Sequence, residues 1–435
     1  MKQLTHEVSH HKAFVLGIQH LLAMYSGAVA VPLLIGTALH FTSTQMTYLV
    51  SIDIFMCGLA TILQLIRNRY FGIGLPVILG CAIQAVAPLK MIGKTYSIGT
   101  MYGSIIIAGI FVFLIAGIFA KIRRFFPPVV TGSLITVIGL TLIPIAVQNL
   151  GGGTATSSSF GSLRTLLVGG ITILIILGIQ FWSKGFIRSI AVLIGLIGGT
   201  LIAGMMGMVS LKPVAQAAWF HFPQPFFFGA PRFALSPSLT MIIIALVSMV
   251  ESTGVFFALG NLLHRETTAA DLKRGYRAEG LAVILGGIFN TFPYTTFSQN
   301  VGLLELSGIR TKRPIYWAAT LLMVMGLLPK IGALATIIPT PVLGGAMLVM
   351  FAMISVQGIR MLGNVDFTDE RNPLIVAISI GAGLGVAVYP NIFQAFPPAL
   401  QLFLGNGIVV ASICAVGLNA LLHHKEITTA TNDSH

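Results

Sequence analysis

Long apolar stretches, separated by short loops with charged or helix-breaking residues, run through almost the whole chain. Stretches such as Ile105–Ile118 and Leu166–Ile179 carry no charge, and several extend to about 20 residues, the length of helix that crosses ~30 Å of hydrocarbon. The first begins near Ala13 and continues past Leu34, which is typical of a first transmembrane helix and not of a cleaved signal peptide. The fourteen predicted crossings are residues 13–39, 45–66, 72–90, 98–121, 128–149, 164–183, 187–210, 237–262, 277–291, 292–309, 314–335, 340–360, 372–389 and 396–422.

The basic residues support this count, because positively charged loops stay on the cytoplasmic side of a membrane. With a cytoplasmic N-terminus, 19 of the 25 lysines and arginines fall at inside positions and the other six fall outside. A miscounted crossing would scramble this asymmetry further along the chain. The pattern therefore predicts a multi-pass protein of the cell membrane with both termini in the cytoplasm.

Composition agrees with a membrane protein and excludes other classes. Hydrophobic residues make up 55% of the chain and charged residues 9%, with a mean hydropathy of +0.92, so too little polar surface exists to coat a soluble core. The formal charge of +13 comes from short loops, which indicates topology and not a nucleic-acid partner. Cys57, Cys81 and Cys414 all fall within apolar segments. Their spacing predicts neither a disulfide framework nor a metal site, and small buried side chains are the simpler interpretation.

Two short motifs recur about half a chain apart. Pro128 and Pro341 each open an apolar segment with a similar Pro-Val-x-x-Gly pattern, and Pro76 and Pro293 form a second pair; the offsets are 213 and 217 residues. Two halves of seven crossings must be inverted relative to each other, because seven is odd. Inverted repeats with interrupted helices are the architecture of many secondary transporters. We expect an all-α polytopic membrane protein of 7+7 inverted segments, with short strands interrupting segments 3 and 10.

The segment from Thr291 to Gly308 is unusually polar for its position. If Arg277 and Arg310 both lie inside, two crossings must fit into the 32 residues between them, which is too short for two full helices. Extended chain rises about twice as far per residue as helix, so a part-strand, part-helix crossing solves the shortage, with segment 72–90 as the strand partner. Gln299 would then lie where a strand ends and a half-helix begins, beside free backbone amides. This arrangement predicts a binding site for a polar ligand.

Four of the twelve acids fall within apolar segments, where a carboxylate is costly and therefore a functional candidate. Glu251 is the most central, and it is a candidate to bind and release a proton. Glu279 follows Arg277 near a helix start, where a cap or a surface ion pair is an ordinary alternative. Glu305 lies near a helix end and is expected to reach toward Lys312 or Arg310, and Asp53 is expected to hold a serine or backbone amide of the first segment.

Other catalytic signals are weak. His20 lies within the first helix, where its side chain could either relay protons or make a structural hydrogen bond. The chain has no phosphate-binding Gly-rich loop, no nucleophile elbow and no paired catalytic acids, so we do not expect an enzyme.

Five residues of the polar segment closely resemble a known signature. Gln299, Asn300 and Gly302, followed by Ser307 and Gly308, resemble the motif of the nucleobase–ascorbate transporters, also called nucleobase:cation symporter-2 proteins. That motif reads Gln or Glu, Asn, any residue, Gly, four residues, Thr, then Arg, Lys or Gly. Ser307 replaces the threonine and keeps the hydroxyl.

Further positions extend the resemblance over nearly the whole chain. Gln19-His20, Glu251 and Glu279 fall where the family has its marked polar residues, and stretches such as Val-Glu-Ser-Thr-Gly around Glu251 are similar to the bacterial xanthine permease branch. Val255 stands where the family often has histidine or aspartate, which weakens any assignment of a second proton-linked group there. Ile83 stands where an aromatic commonly stacks on the base, which leaves only an apolar face.

The resemblance implies a domain organisation and a mechanism. Residues 1–122 and 237–338 would form a substrate-carrying core domain, and residues 123–236 and 339–435, including a short C-terminal tail, would form a gate domain that also makes a homodimer. The core would slide against the gate in an elevator-like cycle within the lipid. The coupling ion would be a proton, with no other cofactor and no metal.

The resemblance also implies residue roles. Glu251 and Gln299 would hold a planar nucleobase edge-on, and Glu251 and Glu279 would be the groups for proton coupling. The other positions implied in or around the site are Phe297, Ser298, Ala82, Ile83, Asn300, Gly302 and His20.

Taken together, these features predict a proton-coupled importer of a purine nucleobase, with xanthine as the first candidate. Glutamine at the first motif position resembles the purine-type members, and an amide offers both a donor and an acceptor to the imide edge of xanthine. A permease for uric acid or uracil is the nearest alternative. An anion exchanger or channel of related architecture and a membrane sensor are alternatives of other classes. Glu251 argues against the anion exchanger, and the lack of a soluble signalling domain in this sequence argues against the sensor.

Overall fold

A computed structural model describes residues 9–122, 127–153, 156, 159–308 and 310–423. The predicted C-terminal tail beyond residue 423 and the basic residues Lys2, Arg123, Arg124 and Lys425 lie outside them. In the first half, the helices are α1 (His10–Ala38), α2 (Ser43–Leu65), α3 (Val86–Thr95), α4 (Ile98–Ile122), α5 (Pro128–Leu150), α6 (Leu163–Trp182), α7 (Gly185–Ser189), α8 (Ala191–Met205) and α9 (Lys212–Gln216). In the second half, they are α10 (Leu235–Leu262), α11 (Ala269–Ile288), α12 (Gln299–Ser307), α13 (Arg313–Gly326), α14 (Pro329–Thr336), α15 (Thr340–Leu362), α16 (Arg371–Val388), α17 (Pro398–Leu404) and α18 (Gly407–Leu422).

Eight helices in the described part of the chain are long and apolar enough to cross a membrane. A ninth span arises if α13 and α14, which are bent by 83° relative to each other, count as one. Several other predicted crossings are built from shorter pieces: α8 and α18 have 15 and 16 residues, and segments 72–90 and 292–309 each contain a strand and a short helix. The chain is therefore a multi-pass helical membrane protein, and its count of fourteen crossings stays a prediction.

The helices pack in two groups. In one, α1, α2, α10 and α11 contact two short strands, with α4 packed on α10 and α11 and α13 packed on α1 and α2; in the other, α5 packs against α15, α6 against α8, and α16 against α18. Close packing of α4 on α11 depends on glycine, because a Cβ added at Gly109 would lie 2.9 Å from the Gly280 carbonyl oxygen and one at Gly280 would lie 2.9 Å from the Gly109 oxygen. Small residues of this kind let membrane helices approach each other closely.

The two strands pair with each other inside the first group of helices. β1 (Leu79–Cys81) and β2 (Tyr294–Thr296) pair antiparallel, with Cys81 opposite Tyr294 and Leu79 opposite Thr296. Two further backbone bonds extend the ladder at its ends, from Ala82 N to Pro293 O at 2.8 Å and from Phe297 N to Ile78 O at 2.9 Å. Threonine and tyrosine favour this extended conformation, and burial on all sides lets protein groups satisfy a backbone that lipid could not.

Candidate functional site

Each strand leads directly into a helix. A 3₁₀ turn, Ile83–Ala85, and then α3 follow β1, whereas α12 follows β2. Ser298 occupies the N-cap position of α12 without a side-chain cap bond, and the first amides of a helix have no carbonyl partner within it. Asn300 N and Val301 N already donate to Phe297 O and Ser298 O, so the backbone donors that this junction can offer a ligand are the amides of Ser298 and Gln299.

Glu251 lies next to the junction after β1. It is half-buried on α10, and its Oε2 accepts a hydrogen bond from Gln84 Nε2 at 3.1 Å. The same Gln84 nitrogen lies 2.7 Å from Ser248 Oγ, and the Gln84 side chain is only 3% exposed. Gln84 therefore fixes the orientation of the Glu251 carboxylate with neutral groups.

Gln299 begins α12 at the other junction. Its side chain is exposed, and Ser298 Oγ lies 3.4 Å from Gln299 Oε1. Space is open beside both helices, because a Cβ added at Gly254 or Gly302 meets no atom within 4 Å. Gly254 follows Glu251 by about one helical turn, and Gly302 follows Gln299 by the same distance. Each glycine therefore lies on the same helix face as the polar side chain before it, and that face has open space next to it.

Phe297 connects the second junction to the first helix. The side chain is buried, and its ring packs so closely on α1 that a Cβ added at Gly27 would lie 2.5 Å from Cζ. A Cβ at Gly80 of β1 would lie 3.1 Å from the same ring. Phe297 thus fills the space between α1 and β1, and only glycine fits at position 27.

Glu279 lies behind the strands and not at the surface. It is buried on α11, which packs against β2. The alternative of a helix cap does not hold, because Thr268 caps α11 together with Asp271. Among the described residues, Glu279 Oε1 has no hydrogen-bond partner.

Asp53 has partners other than those expected from the sequence. We expected it to hold a serine or backbone amide of the first segment, but its oxygens accept hydrogen bonds from Cys81 Sγ at 2.7 Å and Tyr294 Oη at 2.8 Å. The expectation failed because α2 packs against β1 as well as against α1, and the donors that reach the Asp53 carboxylate come from the two strands. The ligand atoms of Asp53, Cys57 and Cys81 lie within 4.8 Å of one another.

The other predicted positions differ in their environment. His20 and Asn300 are buried, at 2% and 1% exposure, and His20 Nδ1 and both polar atoms of the Asn300 side chain have no partner among the described residues. Ala82 is buried and its amide already donates to Pro293, whereas Ile83, at the start of the 3₁₀ turn, is half-buried.

Sequence reasoning missed three polar residues near these groups: Gln84, Ser248 and Ser252. Gln84 carried a usable signal, because it is a polar side chain within the otherwise apolar segment from residue 72 to 89. The argument that singled out Gln299 applies to it equally. The two serines carried no such signal, since serine commonly bonds to its own helix backbone, as Ser248 does to the Ile244 carbonyl oxygen.

Comparison with known proteins gives a consistent result. Residues 11–392 match the Xan_ur_permease model, which describes a permease family. The chain is 55% identical to the xanthine permease of Bacillus subtilis, over 94% of this chain and 93% of that protein. It is 52% identical to the uric acid permease PucK of the same organism, over 96% of both. Among solved structures, the transmembrane domain of a cyanobacterium bicarbonate transporter, BicA, superposes with a TM-score of 0.62 at 16% identity, over 93% of this chain and 97% of that one. At that identity the likeness concerns the fold alone.

Proposed function

Because the chain belongs to the nucleobase–ascorbate transporter family, a family of multi-pass membrane permeases and not of enzymes, we propose that it imports a purine by proton symport. Xanthine is the substrate we favour. The observation that carries the proposal is the Glu251–Gln84 pair, which lies at one strand–helix junction while Ser298 and Gln299 lie at the other. The proposed site is lined by neutral donors, the backbone amides of Ser298 and Gln299, and one carboxylate.

This set of groups suits the edge of a purine. Xanthine presents alternating N–H donors and carbonyl acceptors along its ring edges. The Glu251 carboxylate can accept from ring N–H groups, and the amide of Gln299 can both donate and accept. The half-buried Ile83 would supply an apolar contact to the ring face. In the absence of a stacking aromatic at that position, edge contacts would carry most of the selectivity.

Proton coupling would use the same carboxylate. Glu251 has no basic residue on its helix, α10, so no side chain of that helix balances its charge, and the carboxylate is free to take up a proton. Binding of a proton would favour the loaded carrier, and release on the cytoplasmic side would favour unloading. Glu279, buried on α11 against β2, is the second candidate in this step.

The proposed transport cycle moves one group of helices against the other. The helices around the strands, within residues 1–122 and 237–338, would carry the substrate, and those within 123–236 and 339–435 would form the gate and the homodimer contact. The 7+7 inverted arrangement and cytoplasmic termini belong to the same proposal. Support comes from the two packing groups and from α5 and α15, which begin at the repeated proline motifs and pack against each other.

Uric acid is the second candidate substrate, because the chain is almost as similar to a uric acid permease as to a xanthine permease. Uric acid adds a carbonyl at the imidazole edge, which Gln299 could meet as a donor. An anion exchanger is less well supported, since the likeness to a bicarbonate transporter concerns fold and Glu251 would repel an anion unless it is protonated.

Uptake of radiolabelled xanthine in cells that lack their own purine permeases tests the proposal. Uric acid, guanine, hypoxanthine and uracil serve as competitors. We expect saturable uptake that a protonophore abolishes. Uptake indifferent to the proton gradient would contradict the coupling, and uptake competed only by uric acid would reassign the substrate.

A further inference from the structure

The carboxylate of Asp53 lies on α2, away from the open faces of α10 and α12. It is 0% exposed, and both of its oxygens are occupied: Oδ1 by the Tyr294 hydroxyl at 2.8 Å and Oδ2 by the Cys81 thiol at 2.7 Å. A buried acid of this kind is expensive to keep in a membrane protein. Its contacts show what it contributes.

The two partners of Asp53 lie directly opposite each other in the strand register. Cys81 ends β1 and Tyr294 begins β2. One carboxylate therefore holds one residue of each strand, and it does so across the sequence separation of the two halves of the chain. Along the chain, Gln84 follows Cys81 by three residues and Gln299 follows Tyr294 by five.

The strand pair needs such support. Each strand has three residues, and an isolated two-stranded ribbon is marginally stable. α2 supports β1 at its other end as well, because Thr61 Oγ1 accepts from Leu79 N at 3.0 Å. Asp53, Cys57 and Thr61 recur every four residues and so share one face of α2. Of these three, Asp53 is bonded to both strands.

We propose that Asp53 is a positioning residue for the nucleobase site. Through Cys81 and Tyr294 it fixes how far the Gln84–Glu251 side of the site lies from the Ser298–Gln299 side. This inference rests on the proposed function for its transport readout. Loss of a bond to Asp53 should loosen the match to a purine edge, so the KM should rise more than the maximal rate falls.

Two buried cysteines provide a matched test. Cys81 is 2% exposed and Cys57 is 0% exposed, and the same atoms are removed when either becomes alanine. Cys57 contacts Asp53 only at 4.0 Å, whereas Cys81 is bonded to it at 2.7 Å. Cys81→Ser keeps a hydroxyl donor in place of the thiol and serves as the conservative rescue. Asp53→Asn is the direct variant, but misfolding of that variant would leave the cysteine series as the decisive comparison.

Uptake kinetics of xanthine should separate the variants. We expect Cys81→Ala to raise the KM about five- to tenfold, the size of one lost buried hydrogen bond, and Cys57→Ala to change it less than about twofold. Cys81→Ser should return the KM to near the wild-type value. Equal KM values for Cys81→Ala and Cys57→Ala, or a serine variant no better than alanine, would overturn the proposal. A metal site at Asp53, Cys57 and Cys81 would also overturn it. In that case, removal of metal ions from the wild type would lower uptake as much as Cys81→Ser does, because serine is a poor ligand for thiol-seeking metals.

A second readout does not depend on the substrate. Hydrogen exchange measured by mass spectrometry on purified protein should show faster exchange in peptides covering 78–83 and 293–299 for Cys81→Ala, and wild-type exchange there for Cys57→Ala. If the wild type transports no purine, the proposed function fails, and the exchange data still decide the role of Asp53. Unchanged exchange in both variants would contradict that role even if xanthine transport is established.

Discussion

Two clusters of polar groups, one beside the strand pair and one at the start of α11, surround a buried acid with opposite kinds of partner. Asp271 is buried, and its Oδ1 accepts from Arg67 at 2.9 Å, from Arg265 at 3.0 Å and from Arg274. Glu251 and Asp53 receive only neutral donors from Gln84, Cys81 and Tyr294. At the start of α11, arginines balance the charge of the acid, whereas beside the strand pair the acids have neutral hydrogen-bond donors as side-chain partners.

The difference separates a structural role from a chemical one. Three arginines around one carboxylate join the segment after α2, the α10–α11 connection and α11, and they favour the ionised form of Asp271. A carboxylate with neutral partners can instead change its protonation state without leaving a stranded positive charge. The comparison therefore predicts large effects on transport at Glu251 and effects on stability alone at Asp271.

Glu251→Gln should have the largest effect. The amide keeps the shape of the side chain but cannot take up a proton, so accumulation of xanthine should fall about 100-fold or more, the scale of losing a positioned proton-transfer group. Uptake into cells, with surface expression measured in parallel, checks this. Wild-type accumulation in the variant would remove Glu251 from the site and end the contrast with Asp271.

Gln299→Glu should alter selectivity. A carboxylate only accepts hydrogen bonds, so the donor to a purine carbonyl is lost and the KM for xanthine should rise about tenfold. Competition by uric acid, guanine and uracil measures the ranking of ligands. An unchanged ranking would show that this side chain does not read the base.

Gln84→Ala should have a smaller effect on transport, about fivefold in KM, because Glu251 loses one neutral donor but keeps its place. Gln64→Ala is the matched control. Gln64 is also a buried glutamine, but its side chain bonds to Gly275 O and Ile73 N and not to Glu251. We expect this control to lower the thermal midpoint without raising the KM, and an equal KM change in both variants would contradict the role of Gln84.

Asp271→Asn should have the smallest effect on transport and a clear effect on stability. We expect an unchanged KM and a loss of about 2 kcal/mol in the free energy of unfolding, because charge-assisted hydrogen bonds are removed. Thermal unfolding of the purified protein in detergent measures this. An altered KM with unchanged stability would reverse the comparison.

The pH dependence of that stability follows from the pKa of Asp271. Burial raises this pKa, but hydrogen bonds from Thr268 and Arg274 and the charge of Arg265 outweigh burial, so the net pKa is lowered. A lowered pKa contributes stability that is fully present above the unfolded value of about 4 and is lost as the pH falls through the folded value. The wild type and Asp271→Asn should therefore differ by a constant amount from about pH 8 to about pH 5, and the difference should shrink below about pH 4.

Much of the fold class could be predicted from the sequence, because a backbone in lipid must satisfy its own hydrogen bonds. Uncharged runs such as Ile105–Ile118 must form helices in hydrocarbon, and α4 contains this run. The polar residues after Pro293 could be recognised as exceptional for the same reason. Such arguments use only local composition, so they identify unusual segments without their partners.

Partners between distant segments could not be predicted. Asp53 bonds to residues 28 and 241 positions away, and no local pattern fixes such pairs. Lys312 was expected near Glu305, but its ammonium donates to the Leu65 carbonyl oxygen, because the end of α2 offers an unpaired acceptor. Glu305 is exposed on α12.

The antiparallel pairing of β1 and β2 affects the electrostatics of the proposed site. Because β1 and β2 run in opposite directions, the helices that follow them leave the strand pair at its two opposite ends. Each helix start carries roughly half a positive elementary charge from its aligned peptide dipoles, and together they nearly equal the charge of one ionised Glu251. The two helix starts would therefore offset part of the charge of an ionised Glu251 without a basic side chain. If the site moves through the membrane as proposed, this offset would lower the cost of carrying the carboxylate against the voltage below the roughly 2.3 kcal/mol per charge per 100 mV that a lone charge meets.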